Sequence, residues 1–88
     1  MRDYRVRFAA KNEGLRYEDP SGVYHFDLMR HEDTWVVVLP PSKEPGVASH
    51  FLSEDERGRI LPRVSAFLSR IWWFGVWPSS YKVQFLGS

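Results

Sequence analysis

Cysteine is absent from the 88-residue sequence, so neither disulfides nor thiolate metal sites can reinforce it, and a reducing cytoplasm is the expected setting. No run of about 18 apolar residues is present to cross a membrane as a helix. The opening MRDYRVRF alternates where a secretory signal would be continuously apolar, so an unprocessed chain without a membrane partner is expected. A surplus of either charge is also missing: 12 basic against 11 acidic residues give a formal charge of +1, with no global field to draw in nucleic acid or an anionic surface. The six glycines, at 14, 22, 46, 58, 75 and 87, stand alone, which excludes a glycine-rich phosphate loop. There are no internal repeats and no low-complexity segments. The length suits one small domain, residues 1–88, with modest stability.

The longest periodic stretch is Ser53 to Phe74. Ser53 with Glu56 three residues later is a capping box, and Glu54, Asp55 and Glu56 suit the positive end of a helix dipole. On a helical wheel Ile60, Leu61, Val64, Phe67, Leu68, Ile71, Trp72 and Phe74 share one side, with Arg59, Arg63, Ser69 and Arg70 opposite. Pro62 interrupts this pattern. Its ring crowds the carbonyl of Gly58, which predicts either a kink or a second helix starting at Pro62. Gly75 is the expected C-cap.

Alternation with period two predicts a strand from Tyr4 to Ala10, whose wet face carries Arg5 and Arg7, and a short strand from Leu15 to Glu18. Gly14, free to take positive φ, ends the turn between them. Asp19, Pro20, Ser21 and Gly22 read as a type I turn, and Val23 to Met29 as a third strand with Tyr24, Phe26 and Leu28 facing one way. After a polar tip at His31, Glu32 and Asp33, the run Trp35 to Leu39 reads as a strand covered on both faces and stopped by Pro40 and Pro41. The loop Pro40 to Phe51 or a partner chain would shield its second face. Tyr81, Val83 and Phe85 alternate with Lys82 and Gln84 in a last strand. The expected fold is α+β: an antiparallel sheet of about five strands, β-β-β-β-α-β in sequence, packed on one main C-terminal helix. The order expected across the sheet is 5-1-2-3-4. The alternative lays the last strand parallel to the fourth through a right-handed crossover.

Candidate chemistry is sparse. His25, His31 and His50, with Asp27 or Asp33, do not fall at ligand spacings, so no metal is expected. Ser53 is better explained as a cap than as a nucleophile. The adjacent acids Glu18 and Asp19, and Glu32 and Asp33, point apart on an extended chain, where a general acid and base must face each other. No catalytic residue, cofactor site or enzymatic activity is therefore expected. Arg5 and Arg7, with Lys82 on a strand expected beside them, make an RNA or single-stranded DNA face the alternative reading. The most unusual composition is Trp72, Trp73, Phe74, Val76 and Trp77. Trp73 falls opposite the apolar arc and Trp77 lies beyond the helix stop, so Trp73, Trp77 and Phe74 are the expected contact residues for another protein or a second copy of the chain.

The segment PPSKEPGVASHFLSEDERGRILPRVSAFLSR, residues 40–70, joins a proline-containing loop, a capped acidic turn and an Ile-Leu-x-Arg-Val helix. It resembles the C-terminal half of small immunity proteins from bacterial polymorphic-toxin systems, from which it departs at Pro62 and in WWFGVW. The resemblance implies a non-enzymatic protein that neutralises a toxin by binding it, and it carries no functional residue over.

Overall fold

The computed structural model describes residues 3–9, 14–69 and 82–87. Five strands and one helix follow in the order β1 (Arg5–Phe8), β2 (Gly14–Asp19), β3 (Gly22–His31), β4 (Thr34–Glu44), α1 (Glu54–Ser69) and β5 (Lys82–Leu86). The fold is α+β with a mixed sheet of order β1-β2-β3-β4-β5. Three antiparallel pairs form the meander, and β5 runs parallel to β4, with Thr34 opposite Lys82 and Val38 opposite Leu86. The order 5-1-2-3-4 is thereby corrected. The chain crosses over the sheet on α1 and returns beside the strand it left, so β5 lies at the far edge from β1.

One face of the sheet is dry. Leu15, Tyr17, Tyr24, Phe26, Trp35, Val37 and Leu39 are buried on it against Ile60, Leu61, Val64 and Leu68 of α1, with Leu52 closing one end. These helical positions lie on the arc expected from the wheel, and burial of such side chains contributes about 1.5–3 kcal/mol each as an upper figure. Phe67, from the same arc, is half-buried and meets Phe8 edge-on with ring centroids 5.5 Å apart. Pro62 lies inside one unbroken helix, not at the start of a second. Ile71, Trp72, Phe74 and Gly75 lie outside the described residues.

Two other expectations change. Gly14 opens β2 opposite Asp27 without positive φ, and its hydrogen faces a close approach: an added Cβ would sit 3.0 Å from the Phe26 carbonyl. The Pro40–Pro41 pair does not end β4, which runs on to Glu44. His25 pairs with Ser42 and Asp27 with Val38, so Leu39, Pro40 and Pro41 together oppose Phe26 in a bulge. A bulge is where a sheet tolerates residues lacking an N–H. Nor is β4 covered alike on both faces. Trp35, Val37, Leu39 and Pro41 are buried while Thr34, Val36, Val38 and Pro40 are half-buried, the alternation of a strand with one dry side.

Candidate interaction surface and its polar anchor

Two carboxylates whose side chains are largely covered tie α1 to the sheet. The capping box forms as the sequence predicts: the Ser53 amide donates to Glu56 Oε1 at 2.9 Å and the Glu56 amide to Ser53 Oγ at 3.1 Å. Glu56 does more than cap. Tyr24 donates its hydroxyl to Oε2 at 2.5 Å, His50 Nε2 lies 2.9 and 3.0 Å from the two oxygens, and Lys43 Nζ stands 3.8 Å away. Burial alone would raise the carboxyl's pKa. The hydrogen bonds from the Ser53 amide, Tyr24, His50 and the Ser53 hydroxyl outweigh it and bring the pKa down to about 2.

Asp19, at the end of β2, is the second anchor, with its side chain 2% exposed. It accepts from the Ser21 amide at 2.8 Å, the Ser21 hydroxyl, the Tyr17 hydroxyl at 2.7 Å and Arg59 at 2.9 Å. Its pKa is lowered although burial opposes this, because the Ser21 and Tyr17 bonds and the Arg59 charge favour the ionised form. Burial and the bond to Asp19 push the Tyr17 phenol up to about 12, against a partly offsetting hydrogen bond from Arg63 at 2.8 Å. Ser21 Oγ lies 3.0 Å from the Tyr24 hydroxyl, joining both anchors into one chain of polar contacts from Arg63 to His50.

Arg59 and Arg63, set opposite the apolar arc by the helical wheel, are drawn back to the sheet by this network. Their side chains are 27% exposed, and the Arg63 guanidinium stacks 4.2 Å above the Tyr4 ring. Long stems let charged heads at the margin of the apolar arc reach back to the sheet. The shifts favour ionised carboxylates and a neutral phenol, the forms in which these groups hold the helix to the sheet.

The clamp also fixes a loop. Lys43 and Val47 exchange backbone hydrogen bonds of 2.8 and 2.9 Å around a turn at Gly46, and the His50 amide donates to the Pro41 carbonyl at 2.8 Å. Leu52 is buried in the core. Between His50 and Leu52, each held, Phe51 projects with 68% of its surface exposed, and Val47 is 42% exposed nearby in sequence. The acidic first turn of α1 follows directly.

The open face of the sheet is divided. Arg5, Arg7, Arg16, Glu18 and His25 lie on β1 to β3, with Arg16 paired to Glu18 at 3.0 Å and His25 to Glu44, at the end of β4, at 2.6 Å. Met29 and Leu86, about half exposed, flank Val36 and Val38 toward the other end. Lys82 is not beside β1, contrary to the expected nucleic-acid face. Four strand spacings separate their strands, about 19 Å at ~4.8 Å each, with Glu18, Glu44 and exposed Asp27 on the face between. His25 and His50 engage different glutamates, and among the described residues no three His, Asp or Glu side chains converge on a point that could hold a metal.

Trp73, Phe74 and Trp77 lie outside the described residues. Sequence reasoning found the cap but missed its tie to Tyr24, because nothing local marks a contact across 32 residues, and to His50, whose loop position six residues before Glu56 fits no helical spacing. Phe51 was missed as well, since one apolar residue in a loop reads equally as buried or exposed. Compared with protein-family models, curated proteins and solved structures, the chain matches none of them.

Proposed function

We propose that the chain is a non-enzymatic module of the bacterial cytoplasm that acts by binding another protein or a second copy of itself, with toxin neutralisation or self-association as its specific form. The observation that carries this reading is Phe51: a large aromatic 68% exposed, set between two anchored neighbours, and followed by the exposed acids Glu54 and Asp55. Rigid aromatic anchors lose little entropy on binding and dominate interface energetics, so an exposed one held in place is out of keeping with a merely solvated loop. Trp73, Phe74 and Trp77 are proposed as further contact residues on their sequence context alone. A bound partner would offer an apolar pocket with basic groups at its rim, to meet the acidic turn.

Photo-cross-linking tests the reading. A photoreactive phenylalanine analogue placed in turn at 51, 73 and 77 in producing cells should give discrete adducts, and the same analogue at exposed Asp27 should not. Absence of adducts from all three positions would remove the support for a binding module.

A further inference from the structure

The outer edge of β5 is built differently from that of β1. Lys82 donates its amide to the Asp33 carbonyl at 2.8 Å, in register with Thr34 opposite Lys82. In a parallel ladder a residue turns both backbone groups to the same side, and the next residue turns both to the other. Lys82, Gln84 and Leu86 therefore bond β4, while Val83 and Phe85 aim their N–H and C=O outward, where no described residue meets them. At the opposite edge, exposed Arg5 and Arg7 guard β1, as charge commonly protects an open strand. The β5 sequence KVQFL has one charge, at its first residue.

We infer that the chain forms a twofold dimer by antiparallel pairing of β5 with β5 of a second copy, centred on Gln84. This rests on the self-associating form of the binding reading and names its surface. With Gln84 opposite Gln84 of the partner copy, Val83 of each copy faces Phe85 of the other, and these are the residues whose backbones point outward, so four N–H to C=O bonds form. The side chains of Val83 and Phe85 lie on the helix side. There Phe85 borders a groove of about 580 Å³ shared with Leu61, Pro62 and Ser65, and the incoming Val83 covers Phe85 at its mouth. The charge pattern selects the same pairing: antiparallel strands hold the two Lys82 residues at opposite ends, whereas β1 paired with itself would crowd four arginines together.

Three variants, read by sedimentation equilibrium with thermal melting, test the dimer. Val83→Pro removes an outward N–H and no bond to β4, a position where an edge strand accepts proline, so dissociation should strengthen about tenfold or more with monomer melting largely kept. Gln84→Lys and Gln84→Glu should each weaken self-association several-fold by setting like charges opposite, and a mixture of the two should recover it as a heterodimer. A wild type that stays monomeric at every accessible concentration overturns the proposal, as does a dimer that ignores Val83→Pro or a charge pair that fails to rescue. Adducts from position 51 are read independently, so loss of the dimer leaves the Phe51 surface standing.

Discussion

Tyr24 on β3 and Glu56 in the first turn of α1 meet through a 2.5 Å hydrogen bond across 32 residues of sequence, and the same carboxylate closes the helix cap and holds His50. One side chain thus fixes where the helix starts, where it sits on the sheet and how the preceding loop is held.

Acid stability should report this directly. The folded pKa of Glu56, about 2, lies below its ordinary value of 4.5. Its ionised form therefore stabilises the fold above about pH 4.5, and that contribution is lost as pH falls toward 2, with ~3 kcal/mol as an upper bound. Glu56→Gln should cost about 1–3 kcal/mol at pH 7 and converge on the wild type near pH 2. Urea melts of both proteins across that range are the check, and parallel curves at every pH would refute the assignment.

The alkaline limb has its own reporter. Tyr17 is raised to about 12 from 10, so its neutral form is favoured in the fold, and the stability this gives is present below pH 10 and lost on going from 10 to 12. Absorbance titration should find a tyrosine that ionises late, and Tyr17→Phe should remove that step.

Asp19→Asn should destabilise by about 2–4 kcal/mol, because the Arg59 guanidinium and the Tyr17 hydroxyl lose a buried anionic acceptor. Glu18→Gln, one residue away on the open face, should change stability by no more than about 0.5 kcal/mol. Equal losses at the two positions, measured by chemical denaturation, would contradict the separation of anchor from surface pair.

Helix α1 has room for improvement at two exposed positions. A Cβ added at Gly58 meets nothing within 4 Å, so Gly58→Ala should stabilise by about 0.5–1 kcal/mol through propensity. Pro62→Ala should restore an interior hydrogen bond and add ~1–3 kcal/mol. Melting temperatures of the two variants and their combination test both values.

Arg5→Gln combined with Arg7→Gln should leave stability within about 0.5 kcal/mol and not alter binding to labelled single-stranded RNA or DNA. Wild-type binding with a steep salt slope, lost in the double variant, would favour the nucleic-acid reading instead.

The elements with short-range periodicity were legible in the sequence: the meander, the Ser53–Glu56 cap and the inward stripe Ile60, Leu61, Val64 and Leu68. The position of β5 was not, because KVQFL alternates in the same way beside β1 or β4, and only the path of the crossover separates the two. Pro40 and Pro41 read as a stop because local rules see two missing N–H groups, whereas in three dimensions the bulge opposite Phe26 absorbs them. The wheel sets Arg59 and Arg63 opposite the apolar arc from their Cα positions alone. Their reach to Asp19 and Tyr17 depends on where a distant turn comes to lie.

The parallel seam between β4 and β5 also bears on how the chain comes together during synthesis. The meander can pair strand by strand as it leaves the ribosome, since each hairpin closes a short loop. Val83 and Phe85, whose register with Trp35 and Val37 spans nearly fifty residues, are delivered only after α1 has been made. Until then the apolar side of β4 and its outer edge are exposed together in the nascent chain. The interval before α1 and β5 have docked is when misassembly between neighbouring chains has the most surface to act on.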